Sequence, residues 1–355
     1  MLEPRRSPLA DRHRALGATM TDFAGWRMPV HYGSVVAEHR AVRSGCGAFD
    51  LSHLGTLLVT GPGARDAVQG AFSNDVDALA PGRAQYTLCM DAAGGILDDL
   101  LVYRVARLAY LVVPNAANTA TVSEVLRARP GDAEVADVKA DHAIVALQGP
   151  ASADVATAAG LDVRDMAFLD VRDLATGGWL ACSGYTGERG YEVFVTADKA
   201  PTLWDRAMAA GATPAGLGAR DTLRLEMGYP LHGQDISPET SPVEARLTWA
   251  VKPDTDFVGR DAYLDVKAAG PRRRLWGMRA LDRGIPRPHC AVSAQGRVVG
   301  EVTSGTFSPT LRLGIALAYL DAEVSDGDRV DIDVRGRPLP AEVTRPPFVD
   351  AGTKG

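Results

Sequence analysis

The chain has 355 residues, more than one typical hydrophobic core needs, and its 46% apolar and 23% charged residues are the balance of an ordinary soluble globular protein. A net charge of −6, with Lys and Arg spread along the chain, argues against a nucleic-acid binder, and the one basic cluster, Arg272-Arg273-Arg274, reads as a solvated loop. No apolar run reaches the roughly 20 residues of a membrane span, and the cysteines (Cys46, Cys89, Cys182, Cys290) and histidines show neither a C-x-x-C pair nor metal-ligand spacing, so no metal site is expected.

The opening "MLEPRRSPLADRHRALG" lacks the apolar centre of a secretory signal and mixes Glu3 and Asp11 with its arginines. No cleaved presequence and a reducing, cytoplasmic location are therefore expected. Further along, "TLLVTG" (56–61), "AYLVVP" (109–114) and "HAIVALQG" (142–149) read as strands. "PGARDAVQGAF", "NTATVSEVLRAR", "PASADVATAAG" and "DKAPTLWDRAMAAG" read as helices, with Pro, Asn or Asp where an N-cap or first turn wants them. The connections vary in length, without a steady βαβ beat, so α+β with mainly antiparallel sheets is expected up to about residue 265. After "GPRRRL" the helices stop. "RVVGEVTSG", "LGIALAYL", "RVDIDVRG" and "LPAEVTRPP" are short strands parted by Gly, Pro and Asp turns, which predicts a separate C-terminal β-barrel or sandwich.

Within the first region, "GGILDDLLVYR" (94–104) sets Asp98 and Asp99 in a run that otherwise reads as a buried strand. Alternation puts Ile96, Asp98, Leu100 and Val102 on one face and Leu97, Asp99, Leu101 and Tyr103 on the other. At least one carboxylate must then point into a space of low polarity, which costs several kcal/mol unless it is paired.

Nucleotide fingerprints fail: "GPGARD" and "GLGARD" have Asp where the third glycine belongs, and no P-loop pattern occurs. "GYTGERGYEVFV" (184–195) is a glycine turn leading into a strand, with Glu192 beside Phe194 on one face and Tyr191, Val193 and Val195 on the other. Glu192 is either an edge charge or an acceptor for a flat heterocycle with two neighbouring N–H donors. "GLGARDTLRLEMG" (216–228) reads as a helix with Arg220 and Arg224 one turn apart. Either Asp221 pairs with Arg224 on a solvent face, or the two arginines anchor a carboxylate.

Nine blocks, in this order and spacing, resemble the aminomethyltransferase (T-protein) family of the glycine cleavage system: "TDFAGWRMPVHYGS", "HRAVRSGCGAFDLSHLG", "SNDVDALAPGRAQYTL", "GGILDDLLVYR", "PNAANT", "ALQGP", "GYTGERGYE", "GLGARDTLRLEMGYPLHGQDI" and "GEVTSGTFSPTL". The resemblance implies a three-domain cloverleaf around a central folate channel: a folate-binding module of two interleaved α+β domains over 1–265 and a β-barrel over 272–355. It implies transfer of a one-carbon unit from the aminomethylated lipoyl arm of the H-protein to tetrahydrofolate, giving 5,10-methylenetetrahydrofolate, ammonia and dihydrolipoyl H-protein. Asp99 is then the catalytic carboxylate and Asp98 structural. Glu192 would accept from the pterin, Tyr86, Tyr103, Tyr185, Leu54 and Asn115 would line the channel, and Arg220 would contact the folate's polar end or hold its neighbours. The H-protein of this family is acidic, so a local arginine patch at the arm's entry is expected, with Arg287 or the Arg272–Arg274 run as contributors.

The chain departs from the family pattern in places. Leu54 stands where the family usually has Met, "CSGYTG" lacks an arginine often found before the turn, and Pro114 precedes "NAAN". The runner-up reading is a related tetrahydrofolate-dependent demethylase. An iron–sulfur assembly factor of the same fold is disfavoured because "YPLHGQDI" has no cysteine. A flavin-linked amine oxidase is disfavoured because no dinucleotide-binding domain is recognisable, and a non-catalytic folate binder because it has no need of Asp99.

Overall fold

In the computed structural model, which describes residues 3–129 and 131–350, "GGILDDLLVYR" opens the strand Ile96–Ala106, antiparallel to Arg83–Met90. These two begin a fully antiparallel five-stranded sheet that continues through Ala109–Val113, Leu57–Thr60 and Glu134–Asp137. Directly paired residues point to the same face. Leu88 with Asp99, Tyr86 with Leu101 and Ala84 with Tyr103 therefore share one side, and Cys89 with Asp98 and Thr87 with Leu100 share the other. The Asp98 side packs on helices Ala64–Ala71 and Thr119–Arg127 through Val68, Leu100, Val102, Val122 and Leu126.

A six-stranded sheet runs in the order Val171–Asp173, Trp179–Ala181, Gly190–Thr196, His142–Gln148, Gly47–Asp50 and Thr213–Pro214, antiparallel except for its last pair. Tyr191, Val193 and Val195 cover helices Ser152–Ala158 and Ala200–Ala209, meeting Ala156 and Trp204. Ile144, Ala146 and Phe194, on the opposite face, meet Tyr103 and Leu111 of the five-stranded sheet and Ala219 and Leu223 of helix Leu217–Glu226. Fully burying side chains the size of Leu111 and Phe194 contributes about 1.5–3 kcal/mol each, and it locks the two sheets face to face with the helix against them.

A three-stranded sheet of Arg5–Arg6, Trp26–His31 and Thr19–Phe23 adds the other parallel pair. At the C-terminal end the alternative of barrel or sandwich resolves to a closed barrel, ordered Arg273–Ala280, Leu313–Asp321, Arg297–Ser308, Ala291–Ala294, Arg329–Val334 and Arg337–Thr344. Its interior holds Trp276, Met278, Val302, Ala318, Ile332 and Val343. The fold is thus α+β with mainly antiparallel sheets and a C-terminal barrel. The outermost residues of the expected units, 1–2 and 351–355, lie outside the described residues.

One local expectation is corrected and another holds in part. The Arg272–Arg274 run is not a loop, because Arg273 and Arg274 open the first barrel strand, where Arg273 pairs with Glu244 and covers the Tyr319 ring. Of the helices expected to open with Pro, Asn or Asp at an N-cap or first turn, one has Asn118 at its N-cap and another has Pro201 in its first turn, but none of the four makes a side-chain cap hydrogen bond. Asn118 instead commits its side-chain amide to Asp98. No helix among the described residues is long and apolar enough to cross a membrane.

Candidate active site

The inner faces of the two sheets, helix Leu217–Glu226 and the irregular segment after it enclose a cavity of about 1440 Å³. Asp99, Glu192, Arg220, Tyr185, Tyr86, Tyr103, Leu54 and Asn115 all line it, whereas Asp98 does not. The register explains the grouping: Tyr86, Asp99, Leu101 and Tyr103 share the cavity face of one strand pair.

Asp99 Oδ2 accepts from the Tyr86 hydroxyl at 3.0 Å, and its Oδ1 accepts from Asn115 Nδ2 at 3.1 Å. Burial, and then the neighbouring charge of Asp98, push the Asp99 carboxyl up to about 7. Asp98 is fully buried and accepts three N–H donors: the Asn115 backbone at 3.0 Å, Asn115 Nδ2 at 2.8 Å and Asn118 Nδ2 at 2.7 Å. Burial raises the Asp98 pKa as well, against the pull of these donors. One amide, that of Asn115, therefore holds both carboxylates, and Asp98 fixes the turn that carries it.

Glu192 projects from the other sheet. Ser183 Oγ donates to its Oε2 at 2.6 Å, and the Tyr103 hydroxyl crosses from the facing sheet to the same oxygen at 3.2 Å. Its Oε1 accepts from no described residue, which leaves a buried carboxylate with one fixed and one free oxygen. The preceding turn keeps Ser183 in place through Gln148, which donates to the Ser183 carbonyl and accepts from Thr186 Oγ1, both at 2.9 Å. That amide packs so closely that a Cβ on Gly184 or Gly190 would lie 1.9 or 2.2 Å from it, and Gly187 sits at φ +83. The glycines of "GYTGERG" are therefore a packing requirement.

Arg220 and Arg224 part company. The Arg220 guanidinium lies 4.7 Å from the centroid of the Tyr185 ring, with no carboxylate in ion-pair range among the described residues. Arg224 is neither on a solvent face nor free for an anion. It is 1% exposed and bound to Asp221 at 2.8 Å, Asp235 at 2.7 Å and Ser304 at 2.8 Å, which ties its helix to the barrel. Tyr185 stacks on Tyr229 and donates to the Pro230 carbonyl.

Sequence reasoning did not single out three lining residues. Ser183 carries no local signal. Trp249 is 58% exposed and stacks on Tyr86 at 5.0 Å between centroids. His53 is buried, and its Nδ1 has no partner among the described residues. Burial, and then the nearby Arg220 charge, push the His53 pKa down to about 3, so this imidazole is neutral. The cavity's arginines are Arg220, Arg224, Arg246 and Arg345, whereas Arg287 and the Arg272–Arg274 run do not line it.

Residues 9–255 match the family described as GCVT N-terminal domain, and residues 273–350 match the glycine cleavage T-protein C-terminal barrel domain. The chain is 52% identical to an aminomethyltransferase of Frankia alni over 98% of its own length and 99% of the relative's. It is 48% identical to one of Mycobacterium tuberculosis, covering 98% of this chain and 97% of that one. Its structure superimposes with a TM-score of 0.95, at 33% identity and 99% coverage of both chains, on the crystal structure of glycine cleavage system aminomethyltransferase T from Bartonella henselae. With both of its parts matched and its full length covered, the chain belongs to the glycine cleavage T-protein family of aminomethyltransferases.

Proposed function

We propose that this chain transfers the one-carbon unit of an aminomethylated, lipoylated H-protein to tetrahydrofolate, producing 5,10-methylenetetrahydrofolate, ammonia and dihydrolipoyl H-protein in the cytoplasm. The observation that carries this reading is the free Oε1 of Glu192 and the near-neutral Asp99 carboxyl facing one cavity. A buried carboxylate with an unmatched oxygen is unfavourable until donors meet it, and the adjacent ring N–H and amine of a pterin supply such donors. On this reading residues 1–265 are the folate-binding module and 272–355 the barrel domain.

Tetrahydrofolate, when bound, supplies the nitrogen that takes up the carbon. The chain's residues orient it and manage its proton. Glu192, anchored by Ser183 and Tyr103, fixes the heterocycle in its plane. Asp99, with a pKa of about 7, accepts a proton as readily as it returns one. In its ionised form it also favours positive charge developing at the transferred carbon. Tyr86 and Asn115 hold both Asp99 oxygens, so the base needs no reorganisation. Leu54, Tyr185 and Arg220 complete the wall, with Arg220 placed by its contact on Tyr185.

The test is a reconstituted reaction containing aminomethylated H-protein and tetrahydrofolate, following ammonia and methylenetetrahydrofolate together. Equimolar formation of both is expected. Turnover of a methylated donor without ammonia would instead assign the runner-up, a folate-dependent demethylase.

A further inference from the structure

Three neutral N–H groups hold Asp98, and one of the amides that supply them is itself pinned from a distant segment. Asn118 Nδ2 carries two hydrogens: one goes to Asp98 Oδ1 at 2.7 Å and the other to His232 Nδ1 at 3.0 Å. The second nitrogen of the same imidazole, Nε2, meets the Ile96 carbonyl at 3.0 Å. A carbonyl only accepts and an amide NH2 only donates, so the two contacts select the neutral Nε2–H tautomer, with Nδ1 accepting. His232 is half-buried in the irregular segment after helix Leu217–Glu226. That segment closes on Asp235, which accepts from the Leu231 backbone N–H at 2.9 Å, from Arg224 at 2.7 Å and from Ser304 of the barrel at 2.9 Å. The barrel thus sets the place from which His232 reaches the Asn115–Asn118 turn and Ile96, two residues before Asp98.

The Asn118 amide cannot turn over without setting its oxygen against the Asp98 carboxylate, and Nδ1 of His232 is the acceptor that suits the orientation it has. Without that acceptor the second N–H is unmatched, the amide swings to find another partner, and Asp98 loses a donor. Asn115 Nδ2 divides itself between Asp98 Oδ1 at 2.8 Å and Asp99 Oδ1 at 3.1 Å. An Asp98 short of one donor therefore draws that amide away from Asp99. A cation in the place of His232 would also steady Asp98, but it would cancel part of the Asp98 charge that acts on Asp99. A neutral imidazole fixes the geometry and leaves that charge intact.

We propose that His232 is a positioning residue for Asp99, acting through its Nδ1 on Asn118 and from there through Asp98 and Asn115; the inference rests on the reading of Asp99 as the base of the reaction given above. His232 lines the same cavity as Asp99, so the test separates this role from direct contact with a substrate.

Three variants of the full chain tell the two ring nitrogens apart, each checked for folding by a thermal melt. His232→Asn sets an amide oxygen near the place of Nδ1 and keeps the acceptor for Asn118. His232→Gln reaches to the place of Nε2 and keeps only the donor to the Ile96 carbonyl, and His232→Leu keeps neither. With aminomethylated H-protein and tetrahydrofolate, kcat should fall by about tenfold in His232→Gln and His232→Leu but stay within about threefold of native in His232→Asn. KM for both substrates should stay within about twofold of native in all three, since the residue acts on the base and not on binding. Nuclear magnetic resonance reads the same link without turnover: the Asn115 side-chain amide signals should shift in His232→Gln and remain near native in His232→Asn. Native kcat in His232→Gln and His232→Leu would overturn the inference, and so would a kcat as low in His232→Asn as in His232→Leu. A raised KM at unchanged kcat would overturn it as well and make His232 a substrate contact. Unmoved Asn115 signals in His232→Gln would break the link itself. If the native chain shows no turnover while the Asn115 signals move as expected, it is the reaction reading that fails and the link to Asn115 that stands.

Discussion

The Tyr86 hydroxyl lies 3.0 Å from Asp99 Oδ2, across a strand pair whose register puts both side chains on the cavity face. Burial is the first cause and Asp98 the second of an Asp99 pKa raised to about 7, and the Tyr86 and Asn115 hydrogen bonds pull the other way. An aspartate in the unfolded chain titrates near ~4. Between these values the folded chain keeps a proton that the unfolded chain has lost, so stability falls as pH rises from about 4 to about 7 and is flat above that. Asp99→Asn should therefore melt a few degrees higher than the native chain at pH 8, with the gap closing at pH 4. Its turnover should fall by about 10²-fold. Loss of activity without that pH-dependent gain in melting temperature would place the raised pKa elsewhere.

Tyr86→Phe removes a donor to the ionised form of Asp99 while leaving the ring on Trp249. One charged hydrogen bond is worth about 1.5 kcal/mol or more, equivalent to about one pKa unit. The activity profile, which should rise with pH to a plateau above about 7 in the native enzyme, should move toward alkaline pH by about that much. An unmoved profile with lowered turnover would mean that Tyr86 contacts the substrate and leaves the base alone.

Asp98→Ala strands the three N–H donors contributed by Asn115 and Asn118 in a buried place. At about 1–3 kcal/mol for each unsatisfied group, even partial relaxation should leave a loss of about 3 kcal/mol, read by urea unfolding. Activity should fall with it, because Asn115 also holds Asp99. Asp98→Asn keeps one acceptor oxygen and should lose less. A stable but inactive Asp98→Asn, beside an active Asp99→Asn, would reverse the roles of the two carboxylates.

The opposed faces of Asp98 and Asp99 were legible in the sequence because strand side chains alternate and both faces of this strand are otherwise apolar. The same rule separated Glu192 from Tyr191. What alternation cannot supply is the partner of a buried charge. Asp98 is satisfied by Asn115 and Asn118 after a further strand and turn, and Ser183 meets Glu192 only through the Gln148 packing. The Arg224 reading went astray for the same reason: Asp221, three residues away, is visible locally, but Asp235 and Ser304 arrive from the irregular segment and the barrel. Arg273 and Arg274 looked like loop residues because the first barrel strand starts on charged residues that are paired on one side only, the second partner strand joining at Gly277.

Arg224→Met tests that linkage. Removing one partner of a buried ion pair leaves Asp235 charged and without its main counter-ion, at a cost of about 3–5 kcal/mol. Denaturant unfolding should show that loss. Arg220→Met, where no ion pair is broken, should unfold within about 1 kcal/mol of the native chain. Equal losses for the two would contradict the contrast drawn between them.

Glu192 offers the most direct test of ligand recognition. Its Oε2 is held by Ser183 and Tyr103, which leaves Oε1 as the atom that meets a ligand. Glu192→Gln keeps the shape but replaces one acceptor with a donor, so one of two neighbouring pterin N–H groups faces another N–H. Losing one charged hydrogen bond costs about 1.5–3 kcal/mol, at least tenfold in affinity. Tetrahydrofolate binding to Glu192→Gln, measured by calorimetry, should weaken by that factor while the melting temperature changes little. Ser183→Ala should weaken binding less, since Tyr103 still holds the carboxylate, and adding Tyr103→Phe should bring the loss close to that of Glu192→Gln. Unchanged affinity in Glu192→Gln would return this carboxylate to a purely structural role between the two sheets.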